Sequence, residues 1–348
     1  MTPEHNMESS FCCSCSEPET ACSCSILQTD SNITIANRID HILARWGYKR
    51  SGHIVRPGLY RLGNPDANSP VFASANYTIS FDTLRLNLKG FDAYILVLDT
   101  KGINVWCAAG KGTFGTDELV KRIESTGLSH IVSHRKIIVP QLGAPGISAH
   151  MVKQRSGFTV EYGPVRAADL PEYMRTGKAT SEMRKVSFPI QDRLVLIPIE
   201  LVHVAIPTIM ISIILWLLAG PVAGVAAIAA VVTGTVLFPI LLPYLPTQDF
   251  SMKGFILGGV CAVPFSAMYA QSADLPEWAL AAGAIVPLLI IPAVVAYLGL
   301  NFTGSTPYTS RTGVKKEIFR YVPIMAAMTG IGAAIGITLS IFRLAGVI

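Results

Sequence analysis

The rhythm of hydrophobic and polar positions changes near residue 193. Beyond it run five long apolar stretches, at residues 194–218, 221–245, 254–271, 279–300 and 322–342. A helix needs about 20 apolar residues to cross roughly 30 Å of hydrocarbon, so each stretch is read as a membrane span, the third being the shortest. Pro207, Pro239, Pro264, Pro287 and Pro292 inside them would break soluble helices but are tolerated between packed membrane helices. Before residue 193 the pattern alternates on a shorter scale. Residues 71–77 read as a strand and 81–88 as a helix that Ser80 can cap; residues 93–98 (AYILVL) form the continuous apolar run of a strand buried on both faces. Thr116 opens a helix with Asp117 and Glu118 at the positive end of its dipole. Residues 136–139 read as a strand, 148–154 as a helix, 158–162 as a strand and 168–175 as a helix. Alternating strands and helices predict an α/β doubly wound, Rossmann-like sheet, followed here by an all-α transmembrane domain of five helices. Ligands of such sheets bind at the carboxyl ends of the strands, which directs attention to residues 99–115.

The domain boundaries expected are a Cys-rich disordered tail at 1–33, an α/β domain at 34–180, a basic linker at 181–193 and the membrane domain at 194–348. Charge supports the division. The chain is 51% hydrophobic and only 15% charged; residues 1–193 carry 22 Lys/Arg and 18 Asp/Glu, against 6 and 5 in residues 194–348. That excludes a simple water-soluble enzyme, a disordered chain and a secreted disulfide scaffold. A net charge of +5, spread thinly, gives no case for nucleic acid. Arg184, Lys185 and Arg193, then Lys253, then Arg311, Lys315, Lys316 and Arg320 occupy alternate links; the other links, 219–220 and 272–278, have no basic residue. The bias predicts a multi-pass inner-membrane protein with its N-terminal half in the cytoplasm, Arg343 being the one dissent. Residues 1–25 have no apolar core of signal-peptide length. Glu200 and His203 share a helical face near the cytoplasmic end of the first span. An intramembrane carboxylate suggests transport. One pair makes a poor relay, so a hydrogen-bonded place at the interface is expected instead.

Residues 99–115 resist two familiar readings. Gly110, Gly112 and Gly115 match G-x-G-x-x-G, but the first lies well past the strand and no acid stands about 20 residues on, where His134 and Arg135 are found. A P-loop fails at Val105 and at Gly112, where Gly and Ser/Thr belong. What remains is Cys107 followed by Ala108, Ala109 and Gly110, small residues that allow close approach of a large flat ligand. A lone intracellular cysteine is more often a small buried hydrophobe.

The stretch Asn104-Val105-Trp106-Cys107-Ala108-Ala109-Gly110-Lys111 resembles the signature of the HgcA family, the corrinoid proteins of mercury methylation. Residues 75–82 (ANYTISFD), 140–146 (PQLGAPG) and 162–167 (YGPVRA) are similar to the corrinoid-binding domain of the corrinoid iron–sulfur protein large subunit. The resemblance extends from about residue 35 onward, five spans included. It implies a cobalamin-type cobalt corrinoid, a short cap helix beneath it formed by Asn104 to Lys111, and Cys107 as axial cobalt ligand. It also implies that Thr78, Ser80, Val105 and Ala167 lie near the corrinoid while Ala108, Ala109 and Gly110 make room for it. The D-x-H-x-x-G motif that supplies a histidine ligand elsewhere is absent from the sequence. The resemblance further implies an enzyme, a corrinoid-dependent methyltransferase acting on Hg(II). Its partner would be an HgcB-type ferredoxin-like protein with two 4Fe-4S clusters, and its methyl donor a methyltetrahydrofolate-linked system. A thiolate is a soft, strongly donating ligand, which suits departure of methyl as a carbanion equivalent toward an electrophile. Cys12, Cys13, Cys15, Cys22 and Cys24 have the close spacing that suits soft ions such as Hg(II), and a dispensable tail explains them equally well. Cys261, inside the third span, reads as packing. The alternatives are a membrane transporter or receptor with a nucleotide-binding soluble domain, or a corrinoid methyltransferase with another methyl acceptor.

Overall fold

The computed structural model describes residues 26–49, 52–271 and 275–347. They divide into two compact units: one holds the described residues up to His41 together with Lys49–Lys185, the other Ile42–Tyr48 and the chain from Val186 onward.

In chain order the first unit contains β1 (Leu27–Thr29), α1 (Ile35–Arg45, which crosses into the second unit), β2 (Gly58–Leu62), β3 (Val71–Ala75), α2 (Thr78–Asn87), β4 (Ala93–Leu98), α3 (Val105–Lys111), α4 (Thr116–Ser125), α5 (Leu128–Ile131), β5 (Lys136–Val139), α6 (Ala149–Ser156), β6 (Thr159–Tyr162) and α7 (Leu170–Thr176). One six-stranded sheet runs in the order β1-β2-β4-β3-β5-β6. The last four are mutually parallel, as the alternation predicts, whereas β2 pairs antiparallel with β4 and β1 follows β2. Every residue of β4 is buried, because helices cover both faces. On one face Ala73, Ala75, Leu96, Leu98 and Val139 pack with Leu119 and Ile123 of α4 and Val152 of α6. On the other Phe72, Ile95, Val97 and Ile138 pack with Phe81 and Leu88, from α2 and its end, and Tyr173 of α7. The helix after β3 thus lies opposite the helices after β4 and β5, a topology that opens a crevice at the carboxyl ends of these strands.

Three differences from the sequence reading have local causes. Leu27–Thr29 is a strand within a stretch read as disordered, and residues 1–25 lie outside the described residues. Helix α2 starts at Thr78 with Tyr77 as its N-cap, so Ser80 sits inside the first turn and does not cap it. The reason is that residues 53–55 bond across to 76–78: Val55 N–H donates to Asn76 O (2.8 Å) and Thr78 N–H to His53 O (3.1 Å), which fixes the chain extended until Tyr77. Residues 168–175 open as a 3-10 turn, Ala167–Asp169, before α7, whose Pro171 suits a first turn.

The second unit contains α8 (Ile190–Leu194), α9 (Ile197–Ala219), α10 (Pro221–Val232), α11 (Phe238–Leu241), α12 (Phe250–Ala270), α13 (Glu277–Phe302) and α14 (Arg311–Leu344). Five helical segments, Ile190–Ala219, Pro221–Leu241, Phe250–Ala270, Glu277–Ser305 and Thr312–Leu344, are long and apolar enough to cross a membrane. A π turn, Thr233–Leu237, joins α10 to α11 just before Pro239, which offers no N–H to the preceding turn. Helices α12 and α13 touch backbone to backbone: a Cβ on Gly254 would lie 2.4 Å from Ala296 Cα, and one on Gly258 2.6 Å from Pro292 Cα. This is small-residue packing at four-residue spacing.

Glu200 and His203 each hydrogen-bond a neighbour. Ser305 Oγ donates to Glu200 Oε1 (3.4 Å), and the His203 ring bonds Ile199 O through Nδ1 (2.7 Å). Arg193, counted above among the linker charges, is buried in α8, where its guanidinium donates to Pro239 O (3.0 Å) and Ile240 O (2.5 Å) at the end of α11. The buried carboxylate that hydropathy missed is Glu317, which accepts from Phe250 N (3.2 Å), Ser251 N (2.9 Å) and Ser251 Oγ (3.0 Å), closing the N-terminus of α12. Glu317→Ala strands these buried donors and is expected to destabilise the membrane unit by about 2 kcal/mol. Glu317→Gln, which keeps one acceptor, should lose less, as read from thermal unfolding of the full chain in detergent.

Candidate functional site

Four loops meet at the carboxyl edge of the parallel strands. After β3, Asn76 turns its side chain toward the loop that follows β4. Its Oδ1 accepts from Thr100 N (3.0 Å), Thr100 Oγ1 (2.8 Å) and Gly102 N (3.0 Å), while its Nδ2 donates to Asp99 Oδ1 (3.2 Å). The Thr100 hydroxyl also lies 2.7 Å from Ile103 O. From α4, Glu118 Oε1 accepts the Asp99 N–H (2.9 Å) and is paired with Arg122 (2.6 Å). The loop is thereby bent through two residues of positive φ, Lys101 (57°) and Gly102 (70°). At Gly102 a Cβ would fall 2.8 Å from Ile54 Cγ2, so only glycine fits.

The bend delivers Asn104 as the N-cap of α3, its side-chain oxygen accepting from the Cys107 N–H at 2.9 Å. This is the bond for which asparagine is favoured at that position. Spacing then sorts the faces of the helix. Val105, Ala108 and Ala109 turn into the core, the two alanines at 0% and 5% exposure, while Trp106 and Cys107 are partly exposed and Gly110 and Lys111 are exposed. The alanines are small because the helix lies tight against the loop after β5: a Cβ on Gly146 would come within 3.0 Å of Ala109 Cα and 2.2 Å of Phe114 O. A Cβ on Gly110, by contrast, meets open space. Gly112 ends α3 in the left-handed conformation (φ 84°). The glycine run therefore terminates a helix instead of opening one directly after a strand, and the dinucleotide fingerprint has no phosphate cradle here.

After β5, Gly143 and Gly146 close on the fully buried Phe114; at Gly143 a Cβ would be 2.5 Å from the ring. Thr116 N donates to Gly146 O (3.1 Å), and Ser148 N to Thr116 Oγ1 (2.9 Å). After β6, Pro164 O accepts from Gln141 N (3.4 Å), joining the third loop to the fourth. Tyr162 donates to Ile147 O (2.7 Å); burial raises its phenol above the ordinary value, which keeps the donor proton in place.

The site residues expected from sequence fall into two groups. Asn104 to Lys111 lie on the α4 and α6 side of the sheet. Thr78, whose hydroxyl donates to His53 O (3.4 Å), and Ser80 lie at the start of α2 on the opposite side, where α2 packs against the turn that begins at Ala167. Asn76 connects the two groups. Cys12, Cys13, Cys15, Cys22 and Cys24 lie outside the described residues. Asn76, Thr100, Phe114, Gly143 and Gly146 carry no sequence signal of a place in the site, and Glu118 reads only as a dipole-facing acid. Asn76 and both glycines sit inside stretches quoted for the resemblance, and these roles appear only through contacts across the sheet edge. Asn76→Ala leaves the buried Thr100 N–H and the Gly102 N–H without their acceptor and is expected to cost about 2–3 kcal/mol. Thermal unfolding of the full chain in detergent measures it.

A polar groove of about 360 Å³ lies behind α2, lined by residues that include Asp30, Asn37, Thr78, Asp82 and Arg85. Its walls already bond to one another, Arg85 to Asp82 Oδ1 (2.7 Å) and to Asp30 O (2.7 Å), so it is the seam of a structural network rather than a binding site. Among the described residues no cluster of three or more His, Cys, Asp or Glu could enclose a metal ion. The donor chemistry at the strand ends is a single thiol on an outward helix face, which fits a metal that brings its other ligands with it.

An α/β domain that, among its described residues, carries a single thiol, at the strand ends, is the class that fold and site define. Residues 25–173 match the family model described as the CO dehydrogenase/acetyl-CoA synthase delta subunit. The same region is homologous to archaeal gamma subunits of the acetyl-CoA decarbonylase/synthase complex. The similarity is 33% identity over 122 residues in Methanopyrus kandleri, covering 34% of this chain and 26% of the relative. It is 33% over 128 residues in Methanocaldococcus jannaschii (36% and 26%) and 32% over 127 residues in Methanothermobacter thermautotrophicus (36% and 27%). The chain spans about a quarter of the length of these curated relatives.

These relatives correct one expectation. An HgcB-type ferredoxin-like partner and Hg(II) are not what they indicate; the proteins similar to this domain are subunits of acetyl-CoA decarbonylase/synthase complexes.

Proposed function

We propose that this chain is a membrane-anchored corrinoid protein that works in methyl transfer, with Cys107 as the protein's ligand to the cobalt. The homology of residues 25–173 to the decarbonylase/synthase subunits supports the corrinoid, cobalamin-type and cobalt-containing, as the cofactor. The observation that carries the site is the placement of Cys107. It stands on the outward face of a short helix, fixed by the Asn104 cap, at the strand ends of the homologous domain.

When bound, the corrinoid supplies a metal-held methyl group. The residues of this chain do the rest. Cys107 would hold the metal as a thiolate, its proton lost on binding, and a sulfur donor there would tune the cofactor's electronics. Asn104 holds the sulfur's helix turn, Asn76 and Glu118 hold the loop that presents it, and Gly110 leaves open space beside it. Thr78, Ser80 and Ala167 offer the opposite wall. With the corrinoid bound, a donating thiolate at Cys107 would favour departure of methyl with the bonding electron pair, and so an electrophilic acceptor. By analogy with the relatives, the chain's partners are other subunits of a decarbonylase/synthase-type assembly. Five spans anchor the chain in the inner membrane, and the Lys/Arg bias puts the corrinoid domain on the cytoplasmic side.

The test is anaerobic reconstitution of the full chain with a cobalt corrinoid in detergent, followed by its ultraviolet–visible spectrum and by assay of methyl transfer. Acceptors assayed should include a decarbonylase/synthase catalytic subunit and, because the eight-residue stretch suggests it, Hg(II). A colourless protein that retains no corrinoid overturns the reading. A coloured one with a nitrogen-type or vacant lower ligand overturns the role of Cys107.

A further inference from the structure

Helix α1 is built the wrong way round for a domain in water. Its inward side is polar: Asn37 Oδ1 accepts from Arg85 Nη2 (3.4 Å), Asp40 pairs with His53 Nδ1 (2.7 Å), and His41 Nε2 pairs with Asp82 Oδ2 (2.8 Å). Its outward side is apolar. Ile35, Ile39, Ile42, Leu43 and Trp46 are 79%, 52%, 54%, 36% and 53% exposed. At about 100° per residue these five positions fall within an arc roughly 100° wide, with Arg38 and Arg45 side by side along one border and both exposed. A water-facing helix carries the opposite arrangement, so the medium outside this face is not water.

The end of α1 identifies that medium. Residues Ile42–Tyr48 cluster with the membrane unit. A Cβ built on Gly47 would sit 3.4 Å from Ile199 Cγ1 and 3.7 Å from His203 Cε1, in the opening turns of the first span. Trp46 and Tyr48 flank that contact beside the opening turns of the first span, and tryptophan and tyrosine are the residues that collect where spans enter the hydrocarbon. The apolar exposed side of α9 (Val202, Ile206, Ile209) continues onward from the same place.

We infer that α1 lies in the headgroup layer of the bilayer, its Ile35–Ile39–Ile42–Trp46 face turned to the acyl chains and Arg38 and Arg45 turned to anionic headgroups. A helix with this division of faces binds a lipid surface through buried apolar area plus attraction to anionic lipid. The occupant of the face is lipid, not a second copy of the chain and not another protein.

The test places a photoreactive p-benzoylphenylalanine at Ile39 in the full chain, reconstituted in vesicles of phosphatidylcholine and phosphatidylglycerol. The same probe at Ile209 serves as the lipid-facing control and at exposed Lys121 as the water-facing one. Illumination at position 39 should give lipid adducts, read as a mass increase, in at least half the yield seen at 209. Arg38→Glu with Arg45→Glu should lower the phosphatidylglycerol share of those adducts at 39 while leaving the share at 209 unchanged. A crosslink to a second copy or to another protein, or a lipid yield at 39 no higher than at 121, overturns the inference. If the chain probed at 39 does not elute as folded protein, Ile42→p-benzoylphenylalanine carries the same reading.

Discussion

Replacing Cys107 by alanine is expected to abolish methyl transfer while the protein still inserts in the membrane. A change in groups that only support a metal ligand costs about 10–100-fold, so loss of the ligand itself should exceed roughly a hundredfold. The spectrum of the reconstituted protein should change with it, because the sulfur proposed to hold the metal is gone. Cys107→His separates donor strength from mere occupancy. An imidazole can still hold a metal, but it donates less than a thiolate, so a protein that keeps its corrinoid and transfers methyl poorly is the expected result. Because Asn104 binds the Cys107 amide rather than its sulfur, both substitutions leave the cap intact, and thermal unfolding should be nearly unchanged. Wild-type transfer rates in the alanine variant would remove the sulfur from the chemistry.

The second large effect is expected at Gly146. A methyl group there would press to 2.2 Å from the Phe114 carbonyl oxygen and 3.0 Å from Ala109 Cα, both backbone atoms that cannot rotate away. Gly146→Ala should destabilise the α/β unit by about 3 kcal/mol or more, at the upper end of what overpacking costs. It also loosens the Thr116 N–H bond to Gly146 O and the seat of α3. Corrinoid retention and the thermal midpoint should therefore fall together. In Cys107→Ala the cofactor signal changes and the midpoint does not, which distinguishes building the site from acting in it.

Much of this fold is legible in the sequence where one residue pattern has one physical reading. The run of β4 requires cover on both faces, and Thr116 with its two acids opens α4 as expected. Four of the five spans lie within about five residues of their hydropathy limits, whereas the fifth begins ten residues early, at Thr312, because its first turns are polar. What escapes is decided by partners far away in the chain. The strand β2 alternates too briefly (GLYRL) to announce itself, and it runs against β4, which no crossover helix signals. The start of α2 is set by the backbone of residues 53–55, not by Ser80. Glu317 lies among the charges of a link, and only its three donors at the start of α12 show that it is buried. Within the site, the eight residues from Asn104 to Lys111 are visible as a block. The tie made by Asn76 crosses 24 residues, and the closure of Gly146 on Phe114 crosses the whole of α4 and β5, so neither leaves a local pattern to read.

Where Gly254 and Gly258 bring two backbones into touch, no lumen is left between α12 and α13. A solute could pass along that line only by prying the pair apart, against direct backbone contact. The seam suits a fixed mast better than a gate.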